Sequence, residues 1–344
     1  MPSQEKLMKA VVLSDYHKLL KLDTMAVEPI SPQDVLIRVR ACGICGSDVH
    51  LVDGDFTPLS QLPIVPGHEI TGVIEQVGDL VTNLKLGDRV GLAWTQQTCG
   101  YCRFCVRGET VFCAKQRATG INIAGGYAEY VKAPARDVTV IPDAISFEEA
   151  APLLCAGVTV FTPFKYVNFQ AGQRVVVLGL GGLGHLAIQF AHVLGAHTIA
   201  VSRSAEKLRL AKEKLGADET LNSSTEKWVE KVQDMGGANV ILATANSSQL
   251  MSEAIAALAP EGTLVILAVD KEPLVLPPLV LINYRKRVMG SMTGSIKDMQ
   301  EMLDIAATHN VRPLIETYPL EDAQFALDRV RAGKALFRAV LRIA

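Results

Sequence analysis

From Val175 to Ser202 the chain carries no formally charged residue, and Gly179, Gly181, Gly182, Gly184 and Gly195 break the run. The length alone would span a membrane. Yet the glycines, Gln189 and three histidines (His185, His192 and His197) suit a strand, a tight turn, a helix and a second strand buried in a soluble domain. The same rhythm continues around it. Apolar strands "RVVVLG", "TIAVS", "NVILAT" and "TLVILAV" alternate with helical stretches "LGHLAIQFAHVLG", "SAEKLRLAKEKLG" and "SQLMSEAIAAL". Strand–helix alternation at this spacing predicts a parallel sheet wound on both sides.

Residues before about 150 read differently. Short β-like pieces ("DVLIRVRACG", "EITGVIEQVG", "DRVGLAW", "AEYVKAP", "DVTVIPD") are separated by turn signals, which predicts an irregular all-β region. The closing "DAQFALDRVRAGKALFRAVLRIA" reads as a helix and a strand returning to that first region. The proline-bearing "KEPLVLPPLVLINY" reads as an edge strand that a second subunit would cover. A length of 344 residues fits about two domains. A net charge of −2 without any basic block argues against a nucleic-acid binder. The opening "MPSQEKLMKA" is polar where a secretory signal would be apolar, so the expected setting is a reducing cytoplasm.

"GLGGLG" sets Gly179, Gly181 and Gly184 as G-x-G-x-x-G, directly after a predicted strand and opening a predicted helix. The first glycine permits the turn, the second lets backbone approach a pyrophosphate, and the third lets helix and strand pack closely. That context predicts dinucleotide binding. The second strand then ends in Ser202, Arg203 and Ser204, with Lys207 a turn later. An acid at this place would serve an adenosine 2′-hydroxyl; hydroxyls and a guanidinium suit a 2′-phosphate instead. The expectation is NADP(H) in preference to NAD(H).

Cysteines add a second constraint. Cys99, Cys102, Cys105 and Cys113 form C-x2-C-x2-C-x7-C, enough to enclose one zinc in a closed, structural shell. Ferredoxin spacing is tighter and ends in Cys-Pro, whereas Ala114 follows Cys113. Disulfides fit a reducing compartment less well than metal-bound thiols. Cys45, His68 and Cys155, each unremarkable alone, together supply two thiolates and an imidazole with a fourth position open, the donor set of a catalytic zinc.

With these motifs in this order, the whole chain resembles the zinc-dependent alcohol dehydrogenases of the medium-chain dehydrogenase/reductase superfamily, in the microbial or cinnamyl-type, NADP-using branch. The opening signature is "GHEITGVIEQVG", the structural lobe is the four-cysteine run, the catalytic cysteine lies in "APLLCAGVT", and the nucleotide turn is "GLGGLG". The resemblance implies an α/β and β chain: a GroES-like catalytic domain over 1–156, completed by 293–344, and a Rossmann cofactor domain over 157–292 with a doubly wound parallel sheet. It implies two zinc ions per chain, with Cys45, His68 and Cys155 on the catalytic one and Glu69 beside it. Asp48 would orient the imidazole, Ser47 and His50 would relay the proton, and Trp94 and Phe56 would line the substrate pocket. Thr159, Gly182, Leu183 and Arg338 would contact the cofactor. A homodimer or homotetramer is implied as well.

The sequence departs from some relatives. Gly46 replaces a basic residue, as in the cinnamyl-type branch, and Cys42, three positions before the expected ligand Cys45, reads as a spare buried thiol. The expected reaction is reversible hydride transfer between a small primary alcohol, aliphatic or aromatic, and NADP(H). Rival readings are a polyol dehydrogenase, which Cys155 disfavours since those enzymes commonly place Glu there, and a non-catalytic NADP-binding redox sensor, which would have lost a ligand or relay residue.

Overall fold

The computed structural model describes residues 6–57 and 61–344; residues 1–5 of the polar opening and residues 58–60 lie outside the described set. The chain divides into two compact units, residues 1–155 with 294–344, and residues 156–293.

The second unit is built on six strands, all parallel, in the spatial order Glu219–Asn222, His197–Ser202, Arg174–Leu178, Ala238–Ala243, Leu258–Ile266, Arg287–Gly290. This is the 3-2-1-4-5-6 order of a dinucleotide-binding Rossmann fold. Val175 to Leu178 are fully buried, as are Ile199 to Val201, because a parallel strand covered on both faces needs apolar side chains at every position. Helices Gly184–Val193 and Ser248–Ala257 supply buried faces, the second capped by the Ser247 hydroxyl accepting from the Leu250 N–H.

One expectation is corrected here. "KEPLVLPPLVLINY" is not an edge strand: Pro278–Tyr284 is a helix, entered after Pro277, and Arg287–Gly290 takes the sheet edge. Proline at the first helical position fits a helix start, and the four-residue strand that follows was too short to show alternation.

The first unit centres on a seven-stranded mixed sheet. Its path runs Ile315–Pro319, Arg338–Arg342, Asp34–Ile44, Glu69–Val77, Arg89–Leu92, Val138–Val140, with Tyr130–Pro134 pairing Asp34–Ile44 off that path. Val35, Ile37, Val39, Ile70, Val90, Leu92 and Leu341 form its core. The region is β-rich as read, but it also contains short helices such as Gly46–Val52 and Phe147–Pro152 that carry or precede candidate site residues.

Candidate metal centre and nucleotide turn

Strand register assembles the main cluster. Strand Asp34–Ile44 runs antiparallel to Glu69–Val77 with Gly43 opposite Glu69, and antiparallel to Arg338–Arg342 with Ile44 opposite Ala339. Cys45, His68, Glu69 and Arg338 therefore meet at one end of three adjacent strands. Cys155 joins them from a π-helical turn, Leu153–Gly157, following Phe147–Pro152. Such turns are rare and recur at functional sites; no local pattern around Cys155 marks this one. One ligand atom each from Cys45, His68, Glu69 and Cys155 lie within 4.8 Å of one another. Cys45 and Cys155 Sγ are 3.9 Å apart. Cys42 is in neither cysteine group; it is buried, with its thiol directed to the Gly43 carbonyl.

Asp48, 1% exposed, organises the cluster. Its Oδ2 accepts from the Cys45 N–H at 2.8 Å and its Oδ1 from the Gly67 N–H at 3.2 Å. Oδ1 also stands 3.7 Å from His68 Nδ1, so one carboxylate fixes the backbone beside two candidate ligands and faces the imidazole. Arg338 is buried and its guanidinium engages Glu69.

Charge is crowded here. Burial opposes the His68 imidazolium, but the Cys45 sulfur and the Asp48 and Glu69 carboxylates outweigh it and raise its pKa to about 9. Burial pushes Glu69 up to about 7, with Arg338 pulling the other way. The Cys155 thiol lowers Cys45, helped by His68 and Arg338 and opposed by burial; Cys155 is pushed up in return by Cys45 and by burial. Two sulfurs this close cannot both carry charge without a cation between them. Both ring nitrogens of His68 and Oε2 of Glu69 are buried and have no hydrogen-bond partner among the described residues.

The aromatics expected to line a substrate pocket adjoin this cluster. Trp94 meets the His68 ring edge to face at 5.0 Å, Phe56 lies 5.9 Å from Trp94, and His50 lies 6.5 Å from Phe56. Ser47 Oγ is 3.8 Å from Cys45 Sγ. His50, half exposed, places Nδ1 2.7 Å from Asp55 Oδ2.

A second cluster holds Cys99, Cys102, Cys105 and Cys113. Sγ–Sγ distances are 3.8 Å for Cys99–Cys105 and 3.6 Å for Cys102–Cys105, and all seven cysteines of the chain are free. Four sulfurs at about 2.3 Å from one zinc would stand about 3.8 Å apart. Backbone N–H groups, that of Tyr101 first, lower Cys99 to about 6, whereas burial and neighbouring sulfurs raise Cys105 to about 11. Asp137 braces the approach to this lobe, accepting from the Gln97 N–H at 2.7 Å and lying 3.4 Å from the Thr98 hydroxyl. Neither Asp137 nor Arg338's pairing with Glu69 had a signal in the sequence, because both partnerships join distant segments.

In the second unit the glycine turn has the expected form. Gly179 has φ +100°, a Cβ on Gly181 would meet open space, and one on Gly184 would fall 1.9 Å from the Gly179 carbonyl oxygen. Gly182 and Leu183 complete the turn, and Leu183 leads into the helix. Ser202 ends the second strand, Arg203 is exposed, and the Ser204 hydroxyl accepts the Lys207 N–H at 3.3 Å as a helix cap. Thr159 donates its hydroxyl to the Met292 carbonyl at 3.1 Å.

Comparison with known proteins agrees with this architecture. Residues 31–143 match the family described as "Alcohol dehydrogenase GroES-like domain", and residues 182–308 match "Zinc-binding dehydrogenase". An alcohol dehydrogenase of Geobacillus stearothermophilus is 39% identical over 98% of this chain and 100% of its own length. A cinnamyl alcohol dehydrogenase of Sorghum bicolor superposes with a TM-score of 0.90 at 31% identity, covering 98% of both chains. The structure of CAD from Helicobacter pylori, complexed with NADP(H), gives a TM-score of 0.87 at 27% identity over 99% of both chains. The chain belongs to the zinc-type alcohol dehydrogenases of the medium-chain dehydrogenase/reductase superfamily. It is an oxidoreductase of the alcohol dehydrogenase kind.

Proposed function

We propose that this chain interconverts small primary alcohols, aliphatic or aromatic, and their aldehydes with NADP(H). In this reading Cys45, His68 and Cys155 hold a catalytic zinc with Glu69 beside it, and the four clustered cysteines hold a structural zinc. The observation that carries it is the buried quartet whose donor atoms converge within 4.8 Å while the His68 ring nitrogens and Glu69 Oε2 have no hydrogen-bond partner among the described residues. Donors that are buried, close and unpartnered are costly unless a cation joins them, so the residues fit the metal. When bound, zinc supplies Lewis acidity toward an alcohol or carbonyl oxygen and the nicotinamide takes up or gives the hydride.

The chain's own residues do the rest. Asp48 holds the imidazole and the Cys45 backbone in place, and Arg338 favours the ionised form of Glu69 against the burial that opposes it. Trp94 and Phe56 present an apolar wall suited to a flat or short substrate and exclude water. Ser47 and His50, three apart on one short helix, share a face and carry the alcohol proton outward, His50 delivering it to solvent. Gly179 to Gly184 receive the cofactor diphosphate, while Ser202 and Arg203 favour a 2′-phosphate. The NADP(H) held by the H. pylori structure is in keeping with that choice.

Metal analysis beside an alcohol-oxidation assay tests this. Wild type should contain two zincs per chain and turn over alcohol with NADP+. Cys45→Ala should keep one zinc and its fold but lose activity by at least about 10³-fold, the scale of removing a main electrostatic contribution. Full activity in metal-free wild type, or in Cys45→Ala, would refute the assignment.

A further inference from the structure

His185 has no part in the chemistry described above, yet it is fully buried directly behind the nucleotide turn. Its ring Nδ1 lies 3.2 Å from the Gly181 carbonyl oxygen, which also accepts the His185 backbone N–H at 3.2 Å. A carbonyl only accepts, so Nδ1 carries the proton and the ring acts as donor. The carbonyl of Gly181 and the N–H of Gly182 belong to one trans peptide and point in opposite directions. Drawing the carbonyl inward therefore turns the Gly182 N–H outward. Among the described residues no backbone carbonyl accepts from that N–H, and the adjoining space at Gly181 is open.

We propose that His185 is a positioning residue for the cofactor: its ring N–H holds the Gly181 peptide so that the Gly182 N–H faces the diphosphate. The inference rests on the nucleotide reading given above and adds to it the residue that sets the donor's direction. A rigid donor binds an anion without first ordering the loop, so the effect falls on cofactor affinity. Asparagine can place a side-chain N–H close to where Nδ1 stands; leucine fills the space but donates nothing.

NADPH titrations of the purified chain, followed by nicotinamide fluorescence, compare wild type with His185→Asn and His185→Leu. His185→Leu should raise the NADPH dissociation constant about tenfold, the effect of losing one well-placed hydrogen bond. His185→Asn should stay within about threefold of wild type. Unchanged affinity in a folded His185→Leu, or equal loss in both variants, overturns the proposal, since the side chain would then only fill volume. If circular dichroism shows His185→Leu unfolded, His185→Asn decides alone: near-wild-type affinity upholds the proposal and a tenfold loss overturns it. A wild-type chain that binds no NADPH overturns the nucleotide reading itself, a result distinct from normal wild-type binding with an indifferent leucine variant.

Discussion

Glu69 and Arg338 form a buried ion pair at the meeting point of three strands, and Gly43 makes room for it. A Cβ at Gly43 would fall 1.8 Å from Glu69 Oε2, so no other residue is accommodated there without moving the carboxylate. None of this shows in "ACGICG", where the glycine reads as one more β-region residue. Cys45, His68 and Cys155 were legible only as a set, because each alone is ordinary core material. Asp137 carries a prediction at this scale. Burial raises its carboxyl from 3.8 to about 6, against the pull of the Gln97 N–H and Arg136. A pKa raised on folding contributes stability below the unfolded value, and that contribution is lost as pH climbs through the folded value. Between pH 4 and 7 the loss is on the order of 3 kcal/mol. The thermal midpoint of Asp137→Asn should therefore gain on that of wild type as pH rises through this window. A gap that does not change with pH, measured by scanning calorimetry, would refute the argument.

The four-cysteine lobe is an element with little apolar core of its own. Its helical pieces, Arg103–Val106 and Thr110–Phe112, contain no buried residue, and Tyr101, Val106 and Phe112 are exposed. On the proposed reading, metal binding would supply much of its order, as in other small metal-bound segments. Cys113→Ser should lose the lobe's zinc and about 3 kcal/mol, lowering the thermal midpoint by roughly 6–12 °C. The other zinc should remain, and activity below the new midpoint should hold. Loss of both metals, or an unshifted midpoint, would remove the lobe's structural role. Spacing made this cysteine cluster readable, since its four cysteines lie within fifteen residues. The helix Pro278–Tyr284 was misread for the opposite reason. Leu279 and Ile282 are 67% and 72% exposed, so burial does not impose a helical apolar stripe, and the prolines pointed to an edge strand.

Cofactor choice belongs to the molecule's topology. The parallel order places the strand ending in Ser202 beside the strand entering the glycine turn, and the Gly179 N–H donates to the Val201 carbonyl at 2.9 Å. A residue twenty-three positions beyond Gly179 is thereby held beside the glycine turn. Ser202→Asp should cut the ratio of kcat/KM for NADPH over NADH about 10–100-fold, by setting a carboxylate against the 2′-phosphate. Steady-state kinetics with both cofactors checks it; an unaltered ratio means that Ser202 is remote from the ribose.

Local patterns carried much of this protein's design. Strand and helix alternation, the glycine turn and the cysteine spacing each depend on neighbours a few residues apart, and periodicity records such relations directly. Only the tertiary structure decided that Arg338 meets Glu69, that Gly43 must be small, that Asp48 ties together Cys45 and His68, and that Cys155 lies on a π-helical turn. Those facts follow from strand register and from burial between distant segments. A sequence does not express them, because pairing and desolvation arise only once the sheet has closed.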